Sequence, residues 1–320
     1  MRVTLDLTKL LEEGKISQSE LDRLRALAAR DTGSLAFNIL IGFGISAVSL
    51  GAVALVPNPI TAAVVGGGLF ALGLALVLGR SAHWGLLAQI CLCVGALILA
   101  GGIIALDGGS LRAMLAVTLL LAAASIAARS SLLMVGAVLA ASSCLGASTG
   151  YWHATYELSI TEPTLTIVVF SALGLAAYHL SKQLKSDYER LALFAARTSV
   201  FLVNFGFWIG SLWGDRLLLL RAVGDQLKSA EGLLPPVTLP PWLFSVGWAL
   251  VLIAAGVWAT RVGRRWVVNV AAVFGAIHFY TQWFDKLGPS PLSFFLGGLV
   301  LLAIALGLWM LNRRSEAVPA

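Results

Sequence analysis

The chain alternates long apolar runs with short polar breaks. Ten runs lie near residues 35–56, 60–79, 84–106, 111–128, 131–149, 163–181, 191–213, 242–260, 266–284 and 292–311. Most approach the roughly 20 residues that an α-helix needs to cross about 30 Å of hydrocarbon. In lipid the backbone polar groups must be satisfied within the segment, so each run is expected as a helix. The breaks fit that reading. Pro57, Asn58 and Pro59 suit a tight turn, Pro163 suits a helix start, and Pro289 and Pro291 precede the last run. Only Arg129 and Ser130 part the fourth and fifth runs, which leaves one bent element or two. The pattern predicts an all-α, polytopic transmembrane helix bundle of eight to ten spans.

Residues 1–34 break the pattern. Leu7, Leu10 and Leu11 line one face of a short helix that Gly14 can end in the left-handed conformation. Ser17 precedes Glu20 at capping-box spacing, and Ile16 and Leu21 match a hydrophobic staple. The expectation is a cytoplasmic amphipathic helical hairpin over 1–34, a transmembrane domain over 35–312 and a short cytoplasmic tail over 313–320. The longest loop runs from about 214 to 241. Leu217, Leu220, Val223 and Leu227 share one side of it, which predicts an interfacial helix near 215–230. A gate or partner site is the other reading of that segment.

Composition sharpens the class. Apolar residues make up 58% and charged residues 12% of the 320 positions, about half the roughly 25% charge of soluble domains. That excludes a water-soluble globule, a disordered chain and a coiled coil. The net charge is +6, but no basic patch is interleaved with exposed aromatics, so nucleic acid is not an expected partner. The positive-inside bias accounts for the excess. Of the 22 Lys and Arg, Arg112, Arg216, Arg221, Lys228 and Lys286 fall outside when the N-terminus is placed inside. Arg197 lies within a span, and the other 16 fall inside. Both termini are therefore expected in the cytoplasm. The first apolar run is too long for a cleaved signal peptide. Cys91, Cys93 and Cys144 all lie in apolar runs and read as packing residues, not a disulfide or zinc framework.

Catalytic constellations are absent from the pattern. There is no P-loop, no His-Glu-x-x-His and no Gly-x-Ser-x-Gly, and no run interior holds an Asp or Glu; Asp107 and Asp285 fall at run ends. The sequence predicts no catalytic residue, no metal site and no cofactor, hence a protein that is not an enzyme. Carriers coupled to protons or sodium commonly rely on buried carboxylates, which leaves an uncoupled path as the transport option.

Two polar faces remain as candidates. Arg197 and Asn204 are seven apart, within 20° on one helix face, beside Phe201 and Trp208. They suit an anion-binding interior stripe, or an arginine snorkelling to the interface with an asparagine bonding a neighbouring helix. His278, Gln282 and Asp285, with Thr281, form a stripe on the outer third of the ninth run. It suits the mouth of a pathway or a pH-sensitive contact, or a helix end leaving the membrane between the anchors Tyr280 and Trp283.

Three segments carry a family resemblance: Leu10, Leu11, Gly14, Ile16, Ser17, Glu20 and Leu24 leading into Gly42, Gly44 and Gly51; Trp84 to Leu106 with Gln89, Gly95, Gly101 and Gly102; and Phe279, Trp283, Phe284 and Asp285 followed by Ser293, Phe294, Phe295, Gly297, Gly298, Asn312, Arg313 and Arg314. The chain resembles bacterial predicted integral membrane proteins of the domain-of-unknown-function type, which join an N-terminal helical hairpin to about ten spans. The resemblance implies a bacterial inner-membrane location. The head is also similar to short oligomerisation hairpins, which implies a homo-oligomer or a membrane-protein partner. The resulting expectation is a structural, assembly or sensing protein, with a small-molecule or ion permease as the alternative.

Overall fold

The computed structural model describes residues 10–11, 14–79, 84–152, 155–217 and 238–316. Among them lie α1 (Gln18–Leu55), α2 (Pro59–Leu78), α3 (Gly85–Leu106), α4 (Leu111–Ala128), α5 (Ser131–Ser143), β1 (Ala147–Trp152), β2 (Thr155–Ile160), α6 (Pro163–Ser181), α7 (Ser186–Trp213), α8 (Pro241–Arg261), α9 (Arg265–Leu287) and α10 (Pro291–Glu316). The protein is an all-α membrane protein. Seven helices (α2, α3, α4, α6, α7, α8 and α9) are long and apolar enough to cross a bilayer. Three shorter apolar stretches, Ile39–Leu55, Ser131–Ser143 and Pro291–Gly307, fall on the other three runs. Large apolar side chains such as Leu40, Phe43, Leu97, Leu119 and Leu250 point outward, as a lipid solvent allows and water does not.

The head keeps its expected caps. The Glu20 backbone N–H donates to the Ser17 hydroxyl, and the Ser17 backbone N–H donates to the Glu20 carboxylate at 2.9 Å. Gly14 is left-handed, with Gly14 N–H donating to Leu11 O and Lys15 N–H to Leu10 O. The second arm does not stop at residue 34: α1 continues unbroken into the first apolar run. No proline interrupts it, and a lone Gly33 costs a helix only about 1 kcal/mol, so the cap-type residues Asp31, Thr32 and Ser34 do not break it.

The fourth and fifth runs are separate helices. Arg129 adopts φ 50° as the C-cap of α4, and its N–H donates to Ser125 O. The fifth run is a correction. A span was expected over 131–149, but α5 ends at Ser143 after 13 residues, about 20 Å of rise. Cys144, Leu145 and Gly146 tighten into successive three-residue turns, and Gly146 takes φ 80°. From there β1 and β2 pair antiparallel, Ala147 opposite Ile160 and Trp152 opposite Thr155. Thr, Tyr and Trp favour a pleated strand, and this stretch had read as helix end and loop. The expected interfacial helix near 215–230 lies largely outside the described residues, as do His83 and His153.

The chain divides into two compact units, Met1–Ala140 and Ala141–Ala320. In unit 1, α2 and α3 touch backbone to backbone. A Cβ added at Gly66, Gly73, Gly95 or Gly102 would come within 2.6 Å of the facing helix's main chain. Each helix offers two such glycines seven apart, one face over two turns. Phe70, Leu92, Val117 and Leu121 fill the core beside that seam. Unit 2 is built from antiparallel neighbours, with α7 packed on α6 and α8, and α8 on α9.

Candidate functional site

α7 organises unit 2 because its faces differ in kind. One face is small: Ala195, Ala196, Ser199 and Gly206 are buried, and Gly174 and Gly206 would place added Cβ atoms against Ser199 and Ile167. That lets α6 lie close. The other face is aromatic. Phe201 and Phe205 both meet Phe274 of α9 edge-on, at 5.7 and 5.8 Å between ring centroids.

Asn204 sits between these faces, 7% exposed. The Trp248 indole N–H on α8 donates to Asn204 Oδ1 at 2.9 Å, and Asn204 Nδ2 donates to Val200 O at 2.8 Å. Trp248 is fully buried. Its ring meets His278 of α9 at 4.9 Å and Phe274 at 6.4 Å. Trp248 therefore joins the two polar faces that the sequence kept apart, with Asn204 at its nitrogen and His278 against its ring. Interhelical bonds of this kind average about 0.6 kcal/mol in membranes. An indole N–H left unpartnered in the core would cost about 1–3 kcal/mol.

Arg197 belongs elsewhere. It is exposed, with its guanidinium 5.3 Å above the Trp266 ring of α9 and 6.0 Å from the Phe194 ring. Two turns separate it from Asn204, and the two do not converge on one site. The outer stripe also divides. Thr281 accepts a bond from the Trp208 indole at 2.9 Å, and Thr281 and Asp285 line an open groove of about 750 Å³ between α7, α9 and Leu301 of α10. His278 and Gln282 are not on that lining. Their Nδ1 and Nε2 atoms are buried with no hydrogen-bond partner among the described residues. Trp283, expected as an interface anchor, donates to Ser293 O and ties α9 to α10.

A clasp closes one end of the unit. Asp215 is 3% exposed, and its carboxylate accepts from Thr164 N–H at 2.7 Å and from Leu217 N–H at 2.9 Å. Its backbone pairs with Leu239 in both directions. One residue thus caps the start of α6, where a carboxylate faces the positive helix end, and draws together the two ends of segment 216–238.

Family models, curated proteins and solved structures give no match to this chain. Among the described residues no group of three or more His, Cys, Asp or Glu could hold a metal ion. Sequence reasoning missed Trp248 and the role of Asp215. A signal for Trp248 existed: it lies eight residues into a 21-residue helix, away from the interface where tryptophan usually rests, so its N–H must find a buried acceptor. For Asp215 the signal was weaker, an acid directly after Gly214 at a helix end.

Proposed function

We propose that the protein is a non-enzymatic structural, assembly or sensing component of a bacterial inner membrane, with both termini in the cytoplasm. One observation carries this reading: Asn204, a buried side-chain amide of α7, is spent on a helix-to-helix bond with a fully buried tryptophan. A permeation path would present that amide to water. Arg197, exposed and lying over the Trp266 ring, supports an interface anchor in preference to a buried anion grip. The Lys and Arg asymmetry supports the orientation. The capped head supports self-association or docking of a membrane-protein partner, and the resemblance to inner-membrane families with a hairpin head is consistent with it.

Reconstitution tests this. Liposomes carrying the full chain should show the same ion and small-solute leak as protein-free liposomes. Deleting residues 1–34 should lower the particle mass by light scattering in detergent. Protein-dependent flux would overturn the scaffold reading in favour of the permease. One observation favours that second reading: the unpartnered His278 Nδ1 and Gln282 Nε2 are buried polar atoms that a solute or water could satisfy.

A further inference from the structure

Unit 2 is electrically lopsided. α6 ends, α7 starts, α8 ends and α9 starts at one end, and Lys182, Lys185, Arg190, Arg261, Arg264 and Arg265 cluster there. Arg197 lies two turns further in. Asp187 and Glu189 are the acids of these two connections. The opposite end holds Glu157, Glu162, Asp215 and Asp285 against Arg216 and Lys286 among the described residues.

Within the basic end, Tyr178 acts as a bracket. Lys182 Nζ lies 4.6 Å from its ring centroid, and an Arg264 Nη donates to its hydroxyl at 3.5 Å. Two cations from different helices are thereby held on one exposed corner, and neither meets a carboxylate among the described residues. The corner lies where apolar spans begin and end, which is the depth of lipid headgroups. Tyr178 and Trp266 are the aromatic types that settle there. A guanidinium fork and an ammonium, each held by Tyr178, suit the oxygens of a phosphate diester.

We propose that the Lys182–Tyr178–Arg264 corner binds the headgroup phosphate of an anionic phospholipid from the surrounding bilayer. The lipid is favoured over free phosphate because the corner adjoins outward-facing apolar residues, Leu180 and Val262, against which acyl chains can lie. This inference does not depend on the scaffold reading. Each cation near an anionic surface contributes roughly fivefold in affinity, so the pair should give about a twenty-five-fold preference over a zwitterionic lipid.

Native mass spectrometry of the full chain in detergent, titrated with phosphatidylglycerol or phosphatidylcholine, tests the proposal. Phosphatidylglycerol should bind preferentially. Lys182→Gln with Arg264→Gln should remove most of that preference, and Lys286→Gln at the opposite end should leave it intact. If the double variant does not fold, each single variant, at an exposed position, should lose about fivefold. Equal binding of both lipids, a preference untouched by these variants, or displacement of phosphatidylglycerol by inorganic phosphate at an equal concentration would overturn it.

Discussion

Unit 1 and unit 2 solve the same problem with opposite materials. In unit 1 the α2–α3 seam is made by leaving side chains out: Gly66 and Gly73 face Leu99 and Leu92, and Gly95 and Gly102 face Phe70 and Ala63. In unit 2 the α7–α8–α9 contact is made by putting large side chains in, with Trp248, Phe274, Phe205 and Trp208 packed together and Trp248 bonded to Asn204. Lipid tails are as apolar as leucine, so burial alone does not drive spans together. Close backbone approach gains dispersion energy, and a buried polar bond gains specificity. Unit 1 relies on the first device at the α2–α3 seam, and unit 2 uses both, small residues where α6 meets α7 and the Trp248–Asn204 bond where α7 meets α8.

Substitutions can break this comparison. The largest effect should come from Trp248→Ala, which removes a fully buried ring and leaves Asn204 Oδ1 without its donor. About 3–5 kcal/mol is expected, read as a loss of folded protein on titration with denaturing detergent. Gly95→Ala should cost about 1–3 kcal/mol through overpacking, because its new Cβ would overlap the Phe70 main chain. Gly68→Ala, with open space around it, should cost nothing by the same assay. A seam indifferent to Gly95→Ala would mean that backbone contact does not hold unit 1.

Asn204→Leu should cost about 1 kcal/mol, mostly because the Trp248 N–H loses its acceptor. Adding Trp248→Phe should then cost less than Trp248→Phe does alone, since both partners of the bond are gone. Additive costs in that cycle would deny the coupling. The head should give the smallest effects. Ser17→Ala should lower helix content by an amount worth about 1 kcal/mol. Hydrogen bonds from Ser17, its backbone N–H first and its hydroxyl second, hold the Glu20 carboxyl below its ordinary range. The cap is therefore fully present above the ordinary carboxylate pKa and is lost as pH falls through the lowered value. Circular dichroism of a head peptide should show fraying only on the acid side of that window.

Much of the fold was legible because a single constraint, backbone satisfaction in lipid, writes itself into run length. The boundaries of α4 match the run at 111–128, and Pro163 opens α6 as its position implied. The β-hairpin was not legible, since Leu145 to Trp152 is apolar enough to extend a run while its β-branched and aromatic residues pair across strands. The glycine seam was visible only in part. Gly95 and Gly102 stood among the residues that carry the family resemblance, but their counterparts Gly66 and Gly73 on the facing helix did not, and the spacing of seven on each helix became apparent only from the close backbone approach. At the candidate site, the seven-residue spacing put Arg197 and Asn204 on one helix face by angle, yet angle says nothing of depth or of partners. Seven residues are about 10 Å along the axis, enough to put one on an interface ring and the other in a closed core. Partners such as Trp248 lie 44 positions away in sequence, and periodicity along one helix carries no information about them.

The Trp248–Asn204 centre of unit 2 is packed closed to water. Thiol accessibility tests it directly. With Cys91, Cys93 and Cys144 replaced by alanine, Asn204→Cys and Thr281→Cys would each be exposed to a membrane-impermeant methanethiosulfonate in intact membranes and in detergent. Thr281 lines the open groove, whereas Asn204 lies behind Trp248. The account predicts labelling at 281 in detergent and none at 204 under either condition. Labelling at 204 as fast as at 281 would contradict it and make the Asn204 face part of a water-filled path.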